Sequence, residues 1–534
     1  MRLTTRLAVP AAALLLLLAG CASSRPYQTQ LAARPTLEGR LPGAPRPEAR
    51  KVCDPDNADA CVVFVEYDDY GNLMNRGQLL GAVEAAQETA AAAGTVLVYV
   101  HGWHHDAAES SDVKDFKDLV ARGSKLDRQF RGGRPGAGKI LGVYVGWRGD
   151  SIPSTGLTTL ASYVLTFWDR KEAAHDIGHS GGVYELFSRL SDLRRDHGNS
   201  RLLIHGHSFG GAVVYSTVAQ KLMDQIRMDA NGTPGPATPL ADLVLLVNPA
   251  FEAMRLRPQI DLARTLEYRP NLPPRLVVVT TEADWATGIT FPIGRTLGTP
   301  FDAYADDHSP RQNKTAVGHY LPYVTHQLAP MEPGECGARE VRVGGLTRRD
   351  LPMVTAPSPS LRERLLEKAI AFASGRQLVL PPAPGPGDVS QAKSLEAVLD
   401  EGSPMLCIRN SVYEDAAPLV LRRCDAPGYC AEVAGGHFVP RGKVADGLVP
   451  YRLPIMNIRT TRAVSSGHND IRNPTLENFV VQLLALAVSD PEPIPAPPPT
   501  ASGSSGSREG ATSGGHGTGP GQIPSTVHPR LEDR

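Results

Sequence analysis

The 534-residue chain predicts an α/β fold, a mostly parallel sheet with helices on both faces. Three observations carry that expectation. Short, continuous apolar runs recur at Thr95 to Val100, Ile140 to Val145, Leu243 to Val247 and Leu276 to Val279, the pattern of strands buried on both sides. Stretches with helical spacing separate them in a β-α-β-α order. One further run, Leu202 to His205, passes through a Gly-x-Ser-x-Gly sequence directly into a helical segment.

The first residues stand outside this fold. Arg2 and Arg6 precede an apolar stretch, Leu7 to Leu18, that reads as an export signal and is too short to span a bilayer comfortably. It ends in Leu18-Ala19-Gly20-Cys21, which resembles the lipobox of bacterial lipoproteins. The resemblance implies cleavage before Cys21, lipidation of that residue and a lasting membrane anchor. Ala22 and Ser23 follow, with no Asp to signal inner-membrane retention, so the expected location is the outer membrane facing the periplasm.

The expected organisation runs in six parts: a signal peptide (1–20), a polar, Pro-rich tether (21–50), a core (51–290), an insertion or cap (291–450), the return of the core (451–488) and a disordered tail (489–534). Within the core a strand is expected at Cys61 to Tyr67, then helices at Gln78 to Ala93 and Val113 to Leu126. Helices follow from Leu157 to about Arg195, broken at Gly178 to Gly182, with another at Gly211 to Met228. Beyond residue 290 the pattern loosens into turns through Pro359, a helix at Ser360 to Ala373 and a linker at Pro381 to Gly387. A strand at Pro454 to Ile458 and an amphipathic helix at Leu476 to Ala487 close the ordered sequence.

Composition narrows the function class. Hydrophobic residues make up 41%, charged residues 21%, and the formal net charge is −1, so nothing points to nucleic acid or an acidic polymer as partner. Six cysteines besides Cys21 suit an oxidising compartment. Cys53 with Cys61 and Cys424 with Cys430 lie close enough to close small loops, which leaves Cys336 with Cys407. A zinc site competes poorly, because Cys424 and Cys430 lack a short-spaced partner pair.

Gly-x-Ser-x-Gly occurs twice, at Gly178–Gly182 and at Gly206–Gly210. A nucleophile elbow needs a buried strand before the serine and a helix at once after it, so that the turn projects Oγ above the sheet edge. Ser180 follows a polar, helix-like stretch, Lys171 to Ile177, and fails. Ser208 follows Leu202 to His205 and precedes the small residues Gly210, Gly211 and Ala212, and passes. With the run Thr95–Val100 leading into His101-Gly102-Trp103, the chain resembles the α/β-hydrolase superfamily of esterase/lipase type, over roughly Val62 to Trp285 and again from near Leu453.

That resemblance implies an α/β-hydrolase fold with a large insertion before the catalytic histidine. It implies oxyanion-hole amides on Trp103 and Phe209, and a chain order of serine, acid, histidine. Asp284, just past the strand ending at Thr280, is the expected acid, with Glu252 as rival. His468, in a loop before the last helix, is the expected base, with His319 as rival. The cluster His101, His104 and His105 follows a strand without His-Glu-x-x-His context, so no metal is expected there. Trp147, Arg148 and Asp150 end a strand on the same edge and either line the pocket or pack beside it.

The expected function is hydrolysis of a carboxylic ester or related acyl bond through an acyl-enzyme, with no metal or organic cofactor. Its partners are an ester substrate and, through the anchor, a membrane. A phospholipase or thioesterase is the alternative among hydrolases, and a lipid-anchored, non-catalytic interaction protein is the alternative outside them.

Overall fold

The computed structural model describes residues 26–28, 51–131, 134–149, 159–230, 239–266, 268, 274–299, 302–330, 405–408, 419–423, 454–477 and 479–480. The chain divides into two units, Met1–Ser489 and Asp490–Arg534, and the second lies outside the described residues.

The first unit is an α/β fold. Its strands are β1 (Val52–Asp54), β2 (Asn57–Glu66), β3 (Thr95–Val100), β4 (Ile140–Gly146), β5 (Arg201–His207), β6 (Leu243–Val247), β7 (Leu276–Thr281), β8 (His326–Pro330), β9 (Met405–Ile408), β10 (Leu419–Arg423) and β11 (Ile455–Thr460). They form one sheet in the order β1-β2-β4-β3-β5-β6-β7-β11-β8-β10-β9. Pairing is parallel from β2 through β8, while β1 and the β8-β10-β9 margin pair antiparallel.

Alternation along the strands sorts side chains to two cores, because successive residues point to opposite faces. In β2, Cys61, Val63 and Val65 face one core, and Ala60, Val62 and Phe64 face the other. The first core is covered by α1 (Arg76–Ala91), α3 (Thr159–His179), α4 (Gly181–Asp196), α5 (Phe209–Met228) and α6 (Ala253–Arg264). On the opposite face lie α2 (Ser111–Arg131) and, further along, Val464, Ile471, Leu476 and Phe479. Phe116 of α2 is fully buried between Tyr99 (5.2 Å) and Tyr144 (5.7 Å). Its truncation to Ala would cost about 3–5 kcal/mol.

The disulfide expected between Cys53 and Cys61 is present and staples β1 to β2. Part of the expected tether is docked: the amides of Tyr27 and Gln28 donate to the buried Glu66 carboxylate at 2.8 and 2.9 Å. The segment expected as an insertion over the site has two structural roles. β8, β9 and β10 extend the sheet sideways, a long-range pairing with no local signature, and α8 (Ser309–Lys314) packs beside α6 with α7 (Phe291–Gly298) against α8. The signal peptide, Cys21, most of the tether, the Ser360–Ala373 helix, the Pro381–Gly387 linker and the disordered tail lie outside the described residues, as do Cys336, Cys424, Cys430 and the side chain of Cys407. Among the described residues no helix is long and apolar enough to cross a membrane.

This topology locates a crevice. The chain leaves β3 toward β4 over the α2 face and leaves β5 toward β6 over the opposite face, although β3 and β5 are neighbours. Connections that diverge from adjacent strands leave a gap beyond their carboxyl ends, where ligands of open α/β sheets bind.

Candidate active site

Ser208 stands at that gap. β5 runs through His207, and α5 begins at Phe209, so a single residue makes the turn. Ladder bonds hold β5 to β3 and β6 up to Gly206 and His207, which carries both elements past the bounds suggested by the apolar run. Ser208 has φ +56° and ψ −123°, a conformation that side-chain-bearing residues rarely adopt and that costs on the order of 1–3 kcal/mol. Small neighbours make the turn possible. A Cβ on Gly210 would lie 2.1 Å from the Val100 carbonyl oxygen, and one on Gly102 would lie 2.9 Å from the Ser208 Cβ.

Two other chain ends meet the serine. Asp284 follows β7 in a tight turn, its amide donating to Thr281 O at 3.1 Å. His468 sits in the loop after β11. Its Nε2 is 2.8 Å from Ser208 Oγ and its Nδ1 is 2.8 Å from Asp284 Oδ1. The structure thus brings Ser208, His468 and Asp284 into one hydrogen-bonded chain from three strand ends. Asp284 is 1% exposed, and burial alone would push its carboxyl up. The charge and hydrogen bond of His468, with the hydrogen bond from Thr287, outweigh that and hold it below the usual carboxylate range.

Residues not singled out from sequence hold the His468 loop. Asn248 Nδ2 donates to the His468 carbonyl at 2.9 Å while its Oδ1 accepts from Thr281 N at 3.1 Å. Its φ of +47° is one that Asn tolerates better than most residues. His207 Nε2 donates to the same carbonyl at 3.0 Å, and burial, then the neighbouring His468, pushes its ring well below 6.5. Ser466 N and Oγ donate to Asp470 at 2.7 and 2.8 Å, closing the loop on itself. The one local signal was Asn248-Pro249 immediately past a strand.

The rivals lie elsewhere. Ser180 is the N-cap of α4, with ordinary φ, and its Oγ lies 2.7 Å from Ile177 O. Glu252 is the N-cap of α6 and is buried in a cationic cluster: Lys171 Nζ at 2.7 Å, Arg255 Nε at 2.9 Å and Arg295 Nε at 3.0 Å. His319 is on the far side of Asp284, 3.0 Å from Thr287 Oγ1. His101 spends both ring nitrogens on protein: Nδ1 donates to Gly102 O at 2.9 Å and Nε2 accepts from Trp147 N at 3.0 Å. Trp147 is therefore a core residue stacked on His101, and Arg148 pairs with Asp69; neither lines the pocket, and Asp150 lies outside the described residues.

Beside Ser208 opens a cleft of about 510 Å³ when the open solvent at its mouth is included. Its wall is aromatic and carries Trp103, Phe167, Phe209, Trp285 and Phe291 around the serine. Trp103 and Phe209, ring centroids 5.7 Å apart, flank Ser208 from the two strand ends. Phe209 is the first residue of α5, so its amide has no partner within the helix.

No protein-family model matches the chain, and no curated protein matches it. Among solved structures, phospholipase PlaB from Legionella pneumophila, determined in complex with thio-NAD, shares 13% identity at a TM-score of 0.19. The match covers 46% of this chain and 47% of that one, so the chain spans about half the length of the protein it resembles. A likeness that slight assigns neither fold nor function.

Proposed function

We propose that the protein is a serine hydrolase of α/β-hydrolase type that cleaves carboxylic esters, or related acyl bonds, through an acyl-enzyme. One observation carries the reading: Ser208 Oγ, the His468 imidazole and the buried Asp284 carboxylate share two hydrogen bonds of 2.8 Å at a strained strand-to-helix turn. An alcohol is a poor nucleophile until a base accepts its proton, and an imidazole serves only when held in the right tautomer. Asp284 Oδ1 fixes Nδ1 as the donor, which leaves Nε2 to take the Ser208 proton.

In this reading Ser208 Oγ attacks the ester carbonyl, and His468 returns the proton to the departing alcohol. Water, deprotonated by the same imidazole, then releases the acid. The amides of Trp103 and Phe209 are the proposed donors to the tetrahedral oxyanion, each worth about 3 kcal/mol of barrier. The aromatic wall favours an uncharged, apolar acyl group, which fits simple esters, acyl lipids and thioesters alike. Lipidation of Cys21, with the domain tethered to the outer membrane facing the periplasm, belongs to the same proposal and rests on the Leu18–Cys21 sequence.

A fluorophosphonate probe, which phosphonylates an activated serine with loss of fluoride, tests the reading. Labelling of the full chain is expected to vanish in Ser208→Ala and persist in Ser180→Ala, and Cys21→Ala should move the labelled band from membranes to the soluble fraction. A folded wild type that does not label would favour the non-catalytic interaction protein instead.

A further inference from the structure

We infer that Thr287 and His319 are positioning residues that extend the proposed Ser208–His468–Asp284 chain by two members and orient its carboxylate. The inference rests on the hydrolase reading of the same site.

Asp284 makes contacts through both oxygens. Oδ1 accepts from His468 Nδ1 at 2.8 Å and from Thr287 N at 3.1 Å. Oδ2 accepts from the Thr287 hydroxyl. Thr287 therefore clamps both oxygens from one residue, on the π-helical turn Ala286–Thr290 that follows Asp284. Asp284 thereby caps the turn as an N-cap carboxylate does, accepting from the amide three residues on.

The proton count fixes the next partner. A threonine hydroxyl has one hydrogen, and here it goes to a carboxylate that can only accept. His319 Nε2 lies 3.0 Å from that hydroxyl oxygen, so it must carry the hydrogen and donate. The opposite arrangement would face the Thr287 lone pair toward Asp284. His319 is thus a neutral imidazole protonated at Nε2, consistent with burial pushing its ring down to about 4. The fit around it is close: a Cβ on Gly288 would lie 3.1 Å from the His319 ring.

A donor polarised by His319 disperses the Asp284 charge and stops the carboxylate rotating about its own axis. Its removal leaves that charge concentrated on the imidazolium that forms during attack. Both the rate and the pH at which the site loses activity should then move. The charged and titratable groups facing this pair are His468 on the loop after β11, Arg459 on β11 itself and His207 on β5, against His468.

The test follows fluorophosphonate labelling and ester hydrolysis across pH for the full chain and its Thr287→Val, Thr287→Ser, His319→Leu and His319→Gln variants. Thr287→Val is expected to lower kcat on the order of 10-fold or more with KM little changed. The acid limb of its kcat/KM profile should rise by about half a pH unit or more. Thr287→Ser should recover most of the rate. His319→Gln, which keeps a donor, should exceed His319→Leu, and this pair reads the same chain if Thr287→Val does not fold. A labelled wild type whose rate and acid limb are unmoved in Thr287→Val and His319→Leu overturns this inference alone. An unlabelled wild type overturns the hydrolase reading beneath it.

Discussion

Acid should unfold this protein through its histidines before its carboxylates. Five imidazoles are buried and neutral: burial, the main cause in each, pushes His101 and His319 to about 4, His205 to about 3, His175 to about 2 and His207 well below 6.5. Each has a local reason to refuse a second proton. His101 Nε2 accepts from Trp147 N, His175 Nε2 faces Lys171 Nζ at 3.1 Å, Arg472 and His468 stand near His205 and His207, and Arg459 stands near His319. Their folded values are depressed, so their contribution is intact above pH 6.5 and is lost as pH falls toward those values. At pH 5 the unfolded chain has bound a proton at each that the folded chain has not, a cost of about 2 kcal/mol apiece. Together that is about 10 kcal/mol, against a typical total stability of about 5–15 kcal/mol. The depressed carboxylates Asp112, Asp284 and Glu252 add to the loss only nearer pH 4, and Glu282, raised by burial, opposes it. Guanidinium denaturation at pH 7.5, 6.5, 5.5 and 5.0 should show a flat region, then a slope rising toward about 7 kcal/mol per pH unit. A slope below that of one proton, about 1.4 kcal/mol per unit, would refute the reasoning.

Two further outcomes follow from packing. Gly210→Ala places its methyl against backbone, 2.1 Å from Val100 O and 2.3 Å from His101 O, so it should cost about 1–3 kcal/mol or more and slow probe labelling. Gly181→Ala, in the other Gly-x-Ser-x-Gly copy and with nothing within 4 Å, should leave stability unchanged or slightly raised in the same denaturation series. Glu252→Gln strands Lys171 and Arg295 in a buried site and should cost about 3–5 kcal/mol by chemical denaturation; a loss under about 1 kcal/mol would mean the cluster is wet.

The parallel strands were legible because burial on both faces makes them continuous apolar runs, and Thr95–Val100 and Leu243–Val247 coincide with β3 and β6. Ser208, Asp284 and His468 could be named because each follows such a run, although only the fold shows Ser208 and Asp284 each 2.8 Å from the His468 ring. What stayed hidden was set by distant partners. Asn248 and Thr287 look like ordinary polar loop residues until the His468 loop and Asp284 arrive beside them. β8 was missed because its neighbours, β10 and β11, lie far along the chain and leave no mark on the local sequence.

The seat of β11 between β7 and β8 dictates an order of assembly. As the chain is synthesised, β7 emerges with an open edge, and β8 cannot reach its place because the strand that joins them is not yet made. At about 5–20 residues per second, that edge waits on the order of ten seconds or longer for residue 455. During that interval the nascent protein presents unpaired backbone and half a core, the condition that invites wrong partners. His468 arrives with the segment that ends the wait, so whatever chemistry this edge performs is withheld until the sheet is closed.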